Sequence, residues 1–463
     1  METKYFITLD GPSHLYNANL IKELISGNHP LLTSLFRINP VPVPNWSGHF
    51  IMAVSHLFFS AFISEKIVLV LYLILTPLFF RKTILFFAPK NRWTTYFIFP
   101  FLHNHLFYFG FINMSLGIMF MFITISYFLH KCGRKSIKHI FVLSLLLCCL
   151  YFSHIMLFMI TIALLLGLSV FFTDTGKWNG KLLIRNIREF RFRLYRLLIA
   201  SVPWLLLTYF YFLKIDSIEK QPRTDLGELV KWITDIRPML TICYCDHLII
   251  YTRILLGLFV ALLFVNLYFT LKKNTENTPS GIALNINLPG PSLLFAFFTI
   301  SFLFLYLLVP NAIMMSDRLI LLFYIFMVCW LALLKYPRAL QIVSLIILLA
   351  VHFRFLAYHT ASMKEASKNV EEIEEIANFI KPDNLVLALN YSDNWLYAHS
   401  TAYIGVNKPV IVLENYEASI AWFPLRWNER QFKTEPLTHY VYSNKDLACS
   451  YFTNHPVILW FFP

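Results

Sequence analysis

The sequence predicts an α-helical polytopic membrane bundle of about 10–11 membrane helices with a small C-terminal α/β domain on the extracytoplasmic side. Three observations carry this reading. Of 463 residues, 57% are hydrophobic, 17% are aromatic and only 14% are charged, whereas soluble domains carry about a quarter charged residues. The apolar residues come in runs long enough for helices of roughly 20 residues to cross a bilayer. The Lys and Arg residues behind the net charge of +13 fall in short clusters between those runs, where they set topology and touch anionic headgroups. That placement argues for membrane lipids as partners and against nucleic acid.

Candidate spans lie at 49–63, 66–80, 93–103, 106–129, 137–151, 155–172, 197–213, 247–271, 291–309, 319–334 and 338–357. Short spans need protein or a watery cavity to shield their backbone ends, which implies a cleft in the bundle. The basic clusters mark the cytoplasmic side: Arg81, Lys82, Lys90 and Arg92; Lys131, Arg134, Lys135 and Lys138; Lys177 to Arg196; Lys272 and Lys273; Lys335 and Arg338. The polar turns at 103–105, 153–154, 214–246 and 311–318, and everything after about 358, then fall on the other face. If all these runs crossed, Asp10 and the C-terminal region would sit on opposite faces, so either 49–63 or 93–103 is expected not to cross. Residues 49–357 form the bundle domain.

Residues 1–48 form a first outer loop. Its Thr8–Asn17 stretch puts a carboxylate, Asp10, and an imidazole, His14, in a polar segment at the mouth of an apolar chain. An ionisable pair there reads as a site facing a cavity, but Asp10 before Pro12 also fits a simple helix cap. The segment holds neither span nor signal peptide, so a hydrophobic helix upstream of Met1 is expected to deliver it outside. Pro40, Pro42 and Pro44 stiffen its end into an extended piece. Residues 358–463 change composition, with a Glu-rich helical stretch from Glu365 to Glu375 followed by strand-like runs at 385–389 and 409–413. The aromatic segment after them, including Tyr416, either covers the cleft or docks this domain. The seven cysteines show no framework spacing, and Cys243 and Cys245, two apart, are a poor bridge.

The outer face thus collects Asp10, His14, His49, His103, His105, His154, Asp317 and Arg318, and chemistry belongs there. In order along the chain stand Asp10-Gly11-Pro12-x-His14, Pro42-x-Pro44-Asn45 with His49, Gly110-Phe111-Ile112-Asn113, Ser153-His154, Asp317-Arg318 and Asn415-Tyr416-Glu417-Ala418 followed by Phe423-Pro424-Leu425. Together they resemble a bacterial integral membrane glycosyltransferase of the GT-C superfamily, similar in layout to protein O-mannosyltransferases and lipid A aminoarabinose transferases. The resemblance implies a polyprenyl-phosphate sugar donor, a lipid, glycan or protein acceptor, and a site on the periplasmic side of the inner membrane. It also implies that the acidic residue of the first outer loop, here Asp10, serves catalysis. The chain departs from the family in lacking the helix that would precede this loop.

Such a reaction needs a base near the acceptor hydroxyl, and shielding raises a carboxylate toward working pH. Asp10 fits that role, and His14, four residues on, either orients it, touches a sugar hydroxyl or bonds a loop carbonyl. The leaving phosphate needs fixed positive donors. Arg318 can hold two phosphate oxygens or form an intramembrane ion pair with Asp317 or another carboxylate. His49, His103, His105, His154 and Tyr416 are candidate substrate contacts, although a His beside a Ser at a hairpin tip, as His154 is, more often serves as a polar helix-end residue than as a catalyst. His103 and His105, at i and i+2, do not share a helical face, so they make a weak metal site. No motif demands a cofactor, though a divalent metal is compatible. The alternatives are a transporter or flippase of lipid-linked sugars, which would show repeat symmetry that the sequence lacks, and a non-catalytic membrane scaffold.

Overall fold

The computed structural model describes residues 3–131, 136–171, 182–214, 223–275, 290–390, 392, 394–428 and 457–462. Arg134, Lys135, Lys177 and Lys181 of the basic clusters, and 429–456 of the C-terminal region, lie outside the described residues. The chain opens on α1 (Gly11–Ser26), α2 (Pro30–Leu35), the strand β1 (Phe36–Ile38) and α3 (Ser47–Ser55). Pro12 sits in the first turn of α1, where a missing N–H costs nothing, and left-handed Gly27 closes it through a bond from its N–H to the Glu23 carbonyl.

After α3 come α4 (Ala61–Phe87), a 3₁₀ helix at Arg92–Phe101, α5 (His105–Tyr108), α6 (Ile112–Lys131), α7 (Ile137–Ser153), α8 (Ile155–Phe171) and α9 (Leu182–Lys214). The rest of the bundle is α10 (Leu226–Thr234), α11 (Asp246–Thr275), α12 (Gly290–Leu308), α13 (Met315–Leu333) and α14 (Arg338–Phe379). Among the described residues, seven helices are long and apolar enough to cross a membrane: α4, α6, α11, α12, α14, the part of α9 from Phe190 to Lys214, and α13 with the turn before it. The helices α7 and α8 are apolar but shorter. Aromatic side chains such as Phe264, Phe297 and Phe304 point away from the protein, as lipid-facing residues do.

Two expected spans take other forms. The run 49–63 is split between α3, nine residues long and so only about 14 Å, and the start of α4, and it stays at one end of the bundle. The run 93–103 folds as a 3₁₀ helix with Pro100 inside it. It makes the return journey after α4: Asn91 bonds the carbonyls of Ala332 and Leu334 at the far end of α13, while Tyr72 on α4 bonds the carbonyl of Leu102. Of the two alternatives, 49–63 is the segment that fails to cross. Both chain ends therefore share one end of the bundle, where Lys4 pairs with Glu374 at 2.5 Å.

The helix α14 runs unbroken for 42 residues, through the apolar stretch and the Glu-rich one, so residue 358 falls inside it. Beyond it, β2 (Leu385–Asn390) pairs in parallel with β3 (Ile411–Val412), while β4 (Leu425–Trp427) pairs antiparallel with β1. The strand β5 (Val457–Phe462) lies parallel on the other side of β2. The strand-like runs read from the sequence are thus β2 and β3. The buried half of α1, Gly11 to Ile21, threads beneath this C-terminal segment. Tyr16 donates its hydroxyl to the Val410 carbonyl at 2.8 Å and accepts the Val412 N–H at 2.9 Å, and Asn19 bonds the Gly405 carbonyl at 2.9 Å. Cys243 and Cys245, read from the sequence as a poor bridge, have Cα atoms 5.3 Å apart across the intervening turn, within the span a bridge requires.

This arrangement predicts a labelling pattern. In sealed vesicles, and in a background without free cysteines, Ser26→Cys and Lys381→Cys react with an impermeant maleimide from the same side. Lys90→Cys and Lys335→Cys react from the other, and labelling of the first pair from opposite sides would contradict the fold.

Candidate active site

The site is organised by the crossing of two backbone segments. Leu9 and Asp10 donate their N–H groups to the carbonyls of Tyr108 and Phe109 at 3.0 and 3.1 Å. Gly110 follows with φ +81°, and a Cβ there would stand 2.6 Å from the Asp10 nitrogen, so only glycine fits both the conformation and the contact. Its carbonyl oxygen then meets His14 Nε2 at 3.0 Å.

Asp10 occupies the N-cap position of α1 but makes no capping bond with its side chain. Thr8 does that work, its hydroxyl oxygen accepting the Gly11 N–H at 3.0 Å. The Asp10 carboxylate is therefore left for other partners: it accepts the Tyr416 hydroxyl and lies 3.7 Å from His399 Nε2. His399 in turn stacks on Tyr416 with ring centres 4.5 Å apart. Burial pushes the Asp10 carboxyl up to about 6, with Glu417 adding to the effect, against the pull of His14 and Tyr416 toward the charged form.

One turn along α1, His14 Nδ1 stands 2.7 Å from Glu417 Oε1, and His49 Nε2, brought in by α3, stands 2.8 Å from Glu417 Oε2. His49 Nδ1 faces the Asn45 carbonyl at 3.2 Å. Asn17, on the same face of α1 as His14, donates to Glu417 Oε2 at 2.8 Å and to Asn415 Oδ1 at 3.1 Å. All three ionisable groups are buried, and Phe423 lies 6.0 Å from each imidazole. Burial alone would keep Glu417 neutral, but the two imidazoles outweigh it and hold the carboxyl far below the ordinary carboxylate range. The same attraction overcomes burial at His14 and raises its imidazole above its usual value. His14, His49 and Glu417 offer three ligand atoms within 4.8 Å of one another. A further buried carboxylate, Glu65 at the start of α4, abuts Gly11 and has no hydrogen-bonding partner at Oε2.

A second polar group sits at the same end. His105 Nδ1 faces the Thr241 carbonyl at 3.1 Å, and its Nε2 faces the Arg237 guanidinium at 2.8 Å. Only the neutral ring can donate at Nδ1 and accept at Nε2, and burial beside Arg237 pushes its pKa down to about 3. Arg237 also reaches Asp317 at 3.6 Å. Neighbours on a helix point about 100° apart: Asp317 turns to Arg237, while Arg318 lies over the Phe111 ring at 5.0 Å with no hydrogen-bonding partner at Nε. His154, at the tip between α7 and α8, is buried and feels the Arg318 charge; burial first, then that charge, lowers it to about 3. His103 stands 3.4 Å from the Tyr108 hydroxyl, and burial lowers it to about 4.

Of the residues singled out in the sequence, the structure thus brings Tyr416 to Asp10, and His49 to His14 across Glu417, one turn further along α1. It gathers His105 separately around Arg237, sets Arg318 and His154 near each other, and turns His103 toward Tyr108. The sequence reading did not assign roles to Glu417, His399, Arg237 or Asn17. Glu417 stood inside a quoted stretch, but no spacing connects it to positions 14 and 49.

No protein-family model matches the chain, and no curated protein matches it. Among solved structures, ArnT from Cupriavidus metallidurans in the apo state is similar over 88% of this chain and 81% of that one, with a TM-score of 0.35 and 11% sequence identity. A superposition that loose carries no functional argument.

The Asp10 environment makes a stability prediction. Its folded pKa of about 6 lies above the ordinary 3.8, so folding favours the protonated acid, and this contribution is lost as pH rises from about 4 through about 6. At pH 7.5, Asp10→Asn should therefore melt higher than the unmodified chain in detergent, by an amount on the order of 3 kcal/mol. The advantage should close as the pH falls below about 4, and an equal advantage at both pH values would contradict the assigned cause.

Proposed function

We propose that the chain is a membrane glycosyltransferase of the GT-C type that moves a sugar from a polyprenyl-phosphate donor to an acceptor hydroxyl, with Asp10 as the general base. The observation that carries this reading is Asp10 itself. Its carboxylate is excused from capping by Thr8, positioned by Tyr416, and shifted by burial to about 6. A base with that pKa is ionised at neutral pH yet basic enough to take a proton in the transition state.

In the proposed step the acceptor oxygen attacks the anomeric carbon while its proton passes to Asp10. The bond from that carbon to the phosphate oxygen breaks, and its electron pair leaves on the polyprenyl phosphate. The growing negative charge needs preorganised donors. Arg318 supports that role, being a half-buried residue whose buried Nε is unspent, at the end of the bundle where the polar turns meet. The seven long apolar helices support donor and acceptor reaching the site from the membrane plane. The proposed setting is the bacterial inner membrane with the site on its periplasmic side.

With the chain reconstituted in liposomes and supplied with polyprenyl-phosphate sugars, Asp10→Asn should lower the transfer rate by about 10²- to 10⁴-fold. Equal transfer by both proteins would remove Asp10 from the mechanism. In the unmodified chain the rate should climb with pH through about 6, as the Asp10 carboxyl ionises. Arg318→Lys keeps the charge but loses the planar fork, and it should slow transfer at saturating donor while leaving that pH profile in place.

A further inference from the structure

The ring nitrogens around Glu417 are set out as ligands. His14 turns Nε2 to the Gly110 carbonyl and His49 turns Nδ1 to the Asn45 carbonyl, at 3.0 and 3.2 Å. A carbonyl oxygen only accepts, so those two nitrogens carry protons, and a metal ion need displace only the protons that face Glu417 to meet a lone pair on His14 Nδ1 and on His49 Nε2. Both of these atoms face the Glu417 carboxylate. At 2.7 Å, His14 Nδ1 and Glu417 Oε1 are close, yet neither atom has a hydrogen bond of acceptable alignment. Glu417 Oε2 is meanwhile steadied by the Asn17 amide at 2.8 Å.

We propose that His14, His49 and Glu417 form a binding site for a divalent transition metal, zinc by preference. Two imidazoles with one carboxylate make a donor set for zinc that leaves a fourth position for water or substrate. Magnesium and calcium take oxygen ligands and would not choose it. All three ligand side chains are buried, and their ligand atoms fall within 4.8 Å of one another. Ligands of tetrahedral zinc stand roughly 3.4 Å apart, so the carboxylate draws back from the imidazoles by less than about 1 Å, while the widest pair of ligand atoms, within 4.8 Å, closes by up to about 1.4 Å. The outer contacts are those that fix metal-binding histidines elsewhere: each ring's other N–H goes to a backbone carbonyl, and the carboxylate is itself hydrogen-bonded. The ligands come from α1, α3 and the turn at 417–419, so the metal pins the C-terminal segment onto the N-terminal one. This inference goes beyond the glycosyltransferase reading and does not depend on it.

The test uses the whole chain, purified in detergent with a tag free of histidine, stripped with EDTA and then titrated with zinc. The expected result is uptake of about one zinc per chain with a rise in melting temperature. Under the same conditions Glu417→Gln and His49→Ala should bind at least about tenfold more weakly, as should Asn17→Ala through loss of the outer contact. His29→Ala, removing an imidazole that sits between Glu23 and Asp383, should bind like the unmodified chain. Cobalt in place of zinc should give the intense visible bands of a four-coordinate site. Should the Glu417 and His49 variants not fold, the cobalt spectrum of the unmodified chain decides: absence of those bands overturns the site. So does a monodisperse chain that takes up no zinc, or uptake unchanged in both variants. Asp10→Asn, inactive under the glycosyltransferase reading, should still bind zinc, so the two claims fail separately.

Discussion

The structure depends first on the grip of one buried carboxylate, Glu417, on two imidazoles more than 360 residues away, His14 and His49. A buried charge is tolerated only with partners, and removing one partner from such a set costs about 3–5 kcal/mol. Here the partners come from α1 and α3, and the Asn17 amide completes the set. Because residue 416 precedes 417, the same grip carries the Tyr416 hydroxyl to Asp10, four residues before His14 on one face of α1. The clamp and the candidate base are therefore one mechanical unit, in which a displaced Glu417 would also leave Asp10 without its donor.

Burial sorts the charges around that unit. The Glu417 carboxylate stays ionised because two imidazoles meet it, whereas Asp10, with a single hydroxyl donor and a more distant imidazole, is shifted toward neutrality. Among the histidines, Glu417 raises the pKa of His14 against burial, while burial lowers His103, His105 and His154, with Arg237 and Arg318 adding to the effect at the last two. One end of the bundle thus holds a shielded carboxyl and a guanidinium with a donor to spare, the division on which the proposed group transfer rests. The segment from 103 to 113 joins the two polar groups, with Gly110 against Asp10 and Phe111 under Arg318.

How far the sequence speaks depends on the range of the interaction involved. Composition and run length are local, and they determined the membrane bundle, the places of the long helices, the strands at 385–389 and 409–413, and the polar end where Asp10 and the histidines meet. The pairing of Asp10 with His14 was also legible, since a spacing of four on a helix is a local relation. The exceptions were local competitions that pattern could not weigh. The 49–63 run broke into a short helix and a turn, the 93–103 run tightened into a 3₁₀ return containing Pro100, and a turn brought Cys243 and Cys245 within bonding reach.

Only the tertiary structure decided which partners the Asp10 carboxylate meets. That Thr8 and not Asp10 caps α1, that Asp317 prefers Arg237 to its neighbour Arg318, and that Glu417 closes on His14 and His49 are all outcomes of packing. No period or motif encodes such contacts, because each joins segments whose separation in the chain says nothing about their separation in space. The residue types stood in the sequence; their partners were chosen by the cost of burying charge, which arises only once the helices have come together.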